Sequence, residues 1–410
     1  MNTRTRAQEV APLFDGTRLA LARHLAGMRK SELANKIDRS PSAVTAWEAG
    51  GKQPTAANIA ELAIGLKVDP WFFAVRGEDV STVNVAPHFR SLRSTSQILR
   101  DQALAYGQIA VDVASAIEVH AEFPTPQVPE FQVEPGDIVG PDYAARHVRE
   151  AWDLAPGPAG HQVRLLETHG VLVVFSPPGA AAIDAYSFAA ADRPAVVLNP
   201  IKKDYYRQRF DVAHELGHLV MHGEAEPGSK AIEDQAHRFA SEFLMPANEI
   251  HDQLPTAMGR SAWTTLFRLK EHWGVSVSAL LFRARQLGRL SDVSYRNAMI
   301  RMSQSGWRRD EPGAIASIEQ PSLMPRALEL LDSIGITADE LIAQCRIPSH
   351  LFEAVTGRTP WIDASGSAAV SDADRNVAEP PDGHAKRKSS IVSLLRPPSS
   401  TTGDLAHPEE

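Results

Sequence analysis

The residues best suited to chemistry lie in the stretch from Arg207 to His222, which contains His214-Glu215-Leu216-Gly217-His218. On a helix, His214 and His218 are one turn apart and share a face, so both imidazoles can bind one Zn²⁺ ion. Glu215 follows the first histidine, where its carboxylate can accept a proton from a zinc-bound water. The pattern predicts metal-assisted hydrolysis, and it requires further residues to complete the site.

A zinc site that keeps one position open for water needs a third protein ligand. His222 continues the same helix face, but it lies about 12 Å along the axis from His214, too far for one tetrahedral ion. We therefore expect His222 to be structural or to be a donor on the substrate side. A second helix over 231–246 carries Glu233 and, one turn later, His237. Glu233 could complete the site with His237 orienting a ligand, or it could be a solvated carboxylate at the helix start.

Short apolar runs before the His214 helix predict a buried strand over 171–175 and a hairpin formed by 185–188 and 195–198. A small sheet followed by this helix predicts an α+β domain of the zincin type. The edge of such a sheet can hold an extended peptide by strand addition. Amide hydrolysis also needs a donor for the oxyanion, for which four residues are candidates. They are His222, Tyr186, Tyr205 and Tyr206.

Residues 15–76 predict a separate basic module. From Arg18 to Arg76 there are nine Lys and Arg residues against five Asp and Glu residues, a local net charge of +4, whereas the whole chain carries −8. Four short amphipathic segments follow one another, and Ser40-Pro41 suits the start of the third helix. Two short helices joined by a tight turn can place the second in a DNA major groove. We expect an all-α DNA-binding domain, or else a module for protein binding or dimerisation.

The segment after this module predicts a long helix and then an extended linker. Residues 98–120 show an apolar seam with alternating spacings of four and three, which Gly107 weakens. The seam fits either a homodimer interface, useful on a two-fold DNA operator, or a strut packed on the next domain. Several prolines over 124–135 then predict an extended chain.

The composition indicates a soluble, cytoplasmic chain with two or three domains. Among its 410 residues 43% are hydrophobic and 22% charged, and its single cysteine, Cys345, excludes an intrachain disulfide. Neither a signal peptide nor an apolar run of about 18 residues is visible, so we expect no membrane contact. The predicted fold is mainly α with a small β-sheet. The predicted boundaries are 1–80 (DNA binding), 81–159 (connector), 160–255 (metal domain), 256–362 (helical region) and 363–410 (disordered tail).

The run from Lys30 to Pro54 resembles the Xre-type helix-turn-helix of phage and bacterial repressors. One departure is Arg29, which stands where that family usually has a hydroxyl cap. The resemblance implies binding to a double-stranded DNA operator, with small side chains toward the bases and cations toward phosphates. The base-facing positions would be Ser40, Ser42, Ala43, Thr45 and Ala46, and the phosphate contacts Lys30, Arg39 and Lys52.

Two later motifs resemble the ImmA/IrrE family of metallopeptidases over about 160–250. They are Arg209-Phe-x-x-Ala-His-Glu-Leu-Gly-His and Glu233-x-x-Ala-x-x-Phe-Ala-x-x-Phe-Leu-Met-Pro246. The resemblance implies that His214, His218 and Glu233 bind Zn²⁺, that Glu215 is the general base, and that the substrate is a repressor protein. His237 stands where the family often has Asn or Asp.

Three functions fit these residues. The first is a transcriptional regulator that carries a zinc metallo-endopeptidase, which cleaves a repressor or this chain itself. The second is a non-proteolytic regulator that uses the zincin-like domain to sense a ligand or to dimerise. The third is a protease whose N-terminal domain recruits another repressor through its similar fold.

Overall fold

The computed structural model describes residues 3–74, 88–89, 96–134, 136–176, 185–189, 193–199, 204–223, 229–313, 315 and 317–359. The tail predicted over 363–410 lies outside the described residues. The described part is mainly helical with one small sheet, which confirms the predicted fold class. Among the described residues, no helix has the length and apolar character needed to span a bilayer.

The N-terminal unit consists of five helices and is all-α, as predicted. Asp15, Ser40 and Thr55 cap the second, fourth and fifth helices by accepting backbone N–H groups. The sequence patterns do not predict the first helix, because only Ala7 and Val10 among its residues are buried, and two residues are too short a stripe to predict a helix. The five are α1 (Thr3–Val10), α2 (Gly16–Leu25), α3 (Lys30–Lys36), α4 (Pro41–Glu48) and α5 (Ala56–Leu66).

The sheet has four strands in the order β1-β3-β4-β2. Strands β3 and β4 form the predicted antiparallel hairpin, with Ala185 opposite Leu198, and β2 runs parallel to β4. Strand β1 comes from the connector and pairs antiparallel with the outer edge of β3, which the sequence patterns do not predict. The strands are β1 (His88–Phe89), β2 (Leu172–Phe175), β3 (Ala185–Ala189) and β4 (Pro194–Leu198).

Twelve further helices surround this sheet in the described part. The connector supplies α6 (Gln97–Glu118) and α7 (Gly140–Ala151), and α8 (Gln162–Thr168) precedes β2. The helix with the histidine pair is α9 (Tyr205–Met221), and the helix with Glu233 is α10 (Lys230–Leu244). The rest are α11 (Ala247–Ile250), α12 (Arg260–Trp273), α13 (Val277–Gln286), α14 (Asp292–Gln304), α15 (Leu323–Ser333), α16 (Ala338–Cys345) and α17 (Ser349–Thr356).

The sheet separates two hydrophobic cores because alternate residues of each strand point to opposite faces. Leu172 and Val174 join a core that contains the N-terminal unit, α6 and α15 to α17. Val173 and Phe175 join a core that contains α9, α10 and α12 to α14. The helices after residue 256 therefore divide between the two cores, and only α12 to α14 cover the metal module.

Helix α6 is a buried strut between the N-terminal unit and the sheet. On one side Arg18 of α2 forms a buried ion pair of 3.1 Å with Asp112. On the other side the hydroxyl of Tyr106 donates to the carbonyl of Phe175, 2.9 Å away. The apolar seam is thus covered within the chain, which favours the strut over the homodimer interface.

Gly107 lets α6 approach the sheet. A Cβ atom at this position would lie 2.6 Å from a ring carbon of Phe188, a buried residue of β3. The glycine that weakens the seam in the sequence therefore creates the space that the Phe188 ring fills.

We predict that Gly107→Val lowers the free energy of unfolding by about 2 kcal/mol, because overpacking a filled contact costs about 1–3 kcal/mol. Urea titration of the full chain would measure this change. The matched control is Gly160→Ala, since a Cβ there meets nothing within 4 Å. Equal midpoints for both variants would contradict the close packing of α6 on β3.

Candidate functional site

Helix α9 positions the histidine pair by burying its opposite face against the sheet. Asp204 caps its start, accepting the N–H groups of Tyr206 and Arg207 at 3.0 and 3.2 Å. Val212 and Leu216 pack with the sheet in the second core. Since residues one turn apart share a face, His214 and His218 lie together on the side that meets α10.

The two helices approach closely at Gly217. A Cβ atom on Gly217 would lie 2.9 Å from Cδ1 of Phe239 on α10. A larger residue would push the helices apart, so the glycine of the histidine motif sets their spacing. This spacing brings Glu233, from the first turn of α10, to the histidine pair.

Three candidate ligands converge between these helices, and with one ligand atom from each residue these atoms lie within 4.8 Å of one another. Nε2 of His214 lies 3.1 Å from Nε2 of His218. Oε2 of Glu233 lies 3.3 Å from Nε2 of His214, and Oε1 of Glu233 lies 3.6 Å from Nε2 of His218. Ligands at about 2.1 Å on a tetrahedral zinc ion lie about 3.4 Å apart. The separations and the donor types therefore fit a zinc ion, with one position left over.

The carboxylate of Glu215 is buried and held by the sheet. Ser187 of β3 is fully buried, and its hydroxyl donates to Oε2 of Glu215 at 2.8 Å. Sequence reasoning missed Ser187. A serine within an otherwise apolar strand was the available signal, since buried polar groups need hydrogen-bond partners.

The other two histidines of the site contact the candidate ligands rather than extend the cluster. His222, at the end of α9, places Nδ1 3.0 Å from Nδ1 of His218. His237 donates from Nδ1 to the backbone carbonyl of Glu233 at 2.9 Å, and its ring meets the ring of His214 edge to face at 4.6 Å. Burial lowers the pKa of His222, which favours its neutral form.

Two of the tyrosines expected as oxyanion donors have hydroxyl groups that bind elsewhere. Tyr206 precedes His214 by eight residues on α9, and its hydroxyl donates to the carbonyl of Gly313 at 3.3 Å. The hydroxyl of Tyr186 donates into the protein interior, to the carbonyl of Ala103 at 2.7 Å. These positions argue against an oxyanion role for Tyr206 and Tyr186.

Arg209 of the motif is a structural anchor. Its buried guanidinium donates to the carbonyls of Ala159, Gly160 and Gly274 and pairs with Glu319 at 2.6 Å. Gly274 ends α12 with φ +64°, and a Cβ there would lie 2.8 Å from Nε of Arg209. The arginine thus ties the start of α9 to three distant segments.

In the N-terminal unit, α3 and α4 are joined by a tight turn at residues 37–40. Asp38 adopts a left-handed conformation with φ 53°, which short polar residues tolerate. Ser40 then caps α4, accepting the N–H of Ala43 at 3.2 Å. Of the predicted base-facing residues, Ser40, Ser42 and Thr45 are exposed, whereas Ala43 and Ala46 are half-buried.

The predicted phosphate contacts differ in their surroundings. Lys30 lies 3.2 Å from Glu48, and Arg39 lies 2.8 Å from Glu61 of α5. Lys52 is exposed just after α4. Arg29 does not cap α3 with its side chain, and its N–H donates instead to Glu32 at 2.6 Å. This carboxylate supplies part of the cap that a hydroxyl would provide.

We predict that Gly217→Ala weakens zinc binding by about 10-fold or more, since displaced ligand support costs about 10- to 100-fold in metal affinity. Phe239 must move to admit the new methyl group, and Glu233 moves with α10. Competition with a chromogenic chelator would measure the affinity. The control is Gly107→Val, which strains the other hydrophobic core. If Gly107→Val weakens zinc binding equally, the effect of Gly217→Ala is general destabilisation.

The comparisons with known proteins agree with this geometry. Residues 19–70 match the family model of a helix-turn-helix, and residues 166–285 match that of the IrrE N-terminal-like domain, a peptidase family. No curated protein matches the chain. The matched residues include α3 and α4 in the first range, and Ser187, the histidine pair and Glu233 in the second. The chain is therefore a fusion of an Xre-type helix-turn-helix domain with an IrrE-like peptidase domain, as the two sequence motifs predict.

Proposed function

We propose that this chain is a DNA-binding transcriptional regulator whose IrrE-like domain is a zinc metallo-endopeptidase that cleaves a repressor protein. The observation that carries the proposal is the convergence of His214, His218 and Glu233 on one point beside a buried Glu215. Two neutral imidazoles and one carboxylate with a position left open are the ligand set of catalytic zinc sites.

The residues of this chain would divide the reaction between them. His214, His218 and Glu233 would hold the zinc ion, which when bound lowers the pKa of water and polarises a carbonyl group. Glu215 would accept a proton from the attacking water and return it to the leaving amine. Ser187 would hold the Glu215 carboxylate in place, because a donor bonded to Oε2 limits its rotation. The product would be two peptides with a new carboxyl and a new amino terminus.

The edge of β3 is the proposed path of the substrate. Ser187 links this strand to Glu215, so a peptide that pairs with β3 passes beside the candidate base. In the structure β1 pairs there, with His88 opposite Ser187. A repressor segment that adds to β3 must therefore displace β1, unless the connector of this chain is itself the peptide that is cut.

We predict that Glu215→Gln lowers the cleavage rate by at least about 100-fold, the lower range for a general base, while zinc remains bound. Mass spectrometry of new protein N-termini would compare host cells that express wild type or Glu215→Gln, and it detects cleavage of this chain as well. Metal analysis of both purified proteins would give the zinc content. The matched control is Asp234→Asn, which removes an exposed carboxylate next to Glu233.

Two results would contradict the proposal. New N-termini at equal levels with wild type and Glu215→Gln would exclude Glu215 as the base. Bound zinc without any new terminus would exclude proteolysis and favour a regulator that uses the domain to sense a ligand or to dimerise.

The proposed DNA-binding surface consists of the exposed start of α4 with Lys30, Arg39 and Lys52 around it. Small side chains at Ser42 and Thr45 allow the backbone of α4 to lie close to base edges. Lys30 and Arg39 each pair with a carboxylate, so phosphates must replace Glu48 and Glu61 as their partners. Lys52 would contact phosphate without such an exchange.

We predict that Lys52→Ala weakens DNA binding by a similar factor for all sequences and reduces the slope of log affinity against log salt by about 1. Fluorescence anisotropy at several salt concentrations, with a fragment recovered from host genomic DNA, would measure the DNA affinity and its salt slope. The control is Lys230→Ala, an exposed lysine of α10. Unchanged slopes for Lys52→Ala would remove Lys52 from the surface.

A further inference from the structure

A line of side-chain hydrogen bonds connects the candidate ligand His218 to the connector. Nδ1 of His218 lies 3.0 Å from Nδ1 of His222. Nε2 of His222 lies 3.1 Å from Oε1 of Gln235 on α10. The amide nitrogen of Gln235 donates to the backbone carbonyls of Glu134, at 2.8 Å, and Asp137, at 3.3 Å. His222 and Gln235 are both buried.

The direction of each bond follows from the carbonyl groups at the end of the line. Carbonyl oxygens only accept, so the amide nitrogen of Gln235 must face them and its oxygen must face His222. That oxygen also only accepts, so Nε2 of His222 must carry a proton. A neutral imidazole has one N–H group, which leaves Nδ1 of His222 as an acceptor.

The proton position on His218 follows from that on His222. Because Nδ1 of His222 accepts, Nδ1 of His218 must carry the proton and donate. Nε2 of His218 then keeps its lone pair, and Nε2 is the atom that faces His214 and Glu233. The proton positions therefore suit metal binding before any metal arrives.

We infer that His222 and Gln235 are positioning residues that fix the tautomer and the ring orientation of His218. Through them, two carbonyl groups of the connector determine which nitrogen of His218 is free to bind zinc. The inference rests on the proposed zinc site. In this role neither His222 nor Gln235 contacts zinc or substrate, because His222 lies too far from His214 along the helix to share one zinc ion.

Hydrogen bonds hold the end of the line near the start of α7. The carboxylate of Asp137 accepts the N–H groups of Gly140 and Val139 at 3.0 and 2.8 Å, which hold the pKa of this carboxyl below its usual value. The N–H of Phe131 donates to the carbonyl of Val220 near the end of α9, at 2.9 Å. The connector thus contacts α9 through Phe131 and α10 through the two carbonyl groups that accept from Gln235.

The tautomers can be measured without proteolysis. Long-range ¹H–¹⁵N correlations on labelled protein distinguish protonated from unprotonated ring nitrogens. We expect His222 to carry its proton on Nε2 and His218 to carry its proton on Nδ1, both with and without zinc. A proton on Nδ1 of neutral His222 would overturn the inference, whether or not the chain proves to be a peptidase.

Substitutions then test whether Gln235 acts through His222. We expect Gln235→Leu and His222→Phe each to weaken zinc binding by about 10- to 100-fold, the range for residues that support a metal ligand. Because Gln235 acts only through the histidine, the double variant should bind zinc as His222→Phe alone does. Losses that add in the double variant, or an unchanged affinity in Gln235→Leu, would overturn the inference.

Gln208→Leu is the matched control. Gln208 is also buried, and its amide exchanges hydrogen bonds of 2.8 and 2.7 Å with the backbone of Glu319. It lies on the ligand helix α9 but is not part of the line to His218. Gln208→Leu should lower the free energy of unfolding about as much as Gln235→Leu does and leave the zinc affinity unchanged. If Gln208→Leu weakens zinc binding as much as Gln235→Leu does, the effect is one of stability alone and the inference is overturned.

Discussion

The site depends on the close approach of two helices. His214 and His218 occupy one face of α9, and a helix cannot supply a third ligand to the same point from its own next turns. The third candidate ligand therefore comes from another helix, and side-chain distances of 3.1, 3.3 and 3.6 Å require that α10 packs closely on α9. Gly217 against Phe239 permits this contact. Arg149 of α7 also donates to the carbonyl of Phe243 near the end of α10, which fixes that helix from its other side.

A second constraint joins the DNA-binding unit to the peptidase unit. Helix α6 packs on α2 through Arg18 and Asp112, and on β3 through Gly107 and Phe188. A buried ion pair is costly to desolvate and specifies geometry more than it adds stability. The N-terminal unit and one face of the sheet consequently belong to a single core. The N-terminal unit and β3 therefore contact the same packed helix, α6.

The sequence predicts the parts of this structure that carry a local pattern. The histidine pair follows from a spacing of four, and the inward face of α10 follows from spacings of three to four. The β3–β4 hairpin follows from two short apolar runs around a polar turn. The seam of α6 is equally visible, but its partner is not, because an apolar stripe does not show what covers it. Helix α1 buries only two residues, which is too short a stripe to predict a helix. Tyr206 shows that a suitable residue type near a motif does not determine where its hydroxyl points.

The buried polar residues of the site are harder to foresee. Ser187 and Gln235 each share a face with apolar neighbours, and this is a signal that a buried partner exists. The partner of Ser187 lies 28 residues away, and the two carbonyl groups that accept from the amide nitrogen of Gln235 lie 101 and 98 residues away. No local pattern relates such distant positions, so their roles follow only from the folded chain.

The connector belongs to the candidate site at two places. Strand β1 pairs with β3 opposite Ser187, which holds Glu215, and the carbonyls of Glu134 and Asp137 end the line that leads to His218. A peptidase domain that begins at residue 160 would contain every candidate ligand and would lack both of these contacts. The segment between the two units therefore adjoins the edge of β3 on one side and the helix that carries Glu233 on the other.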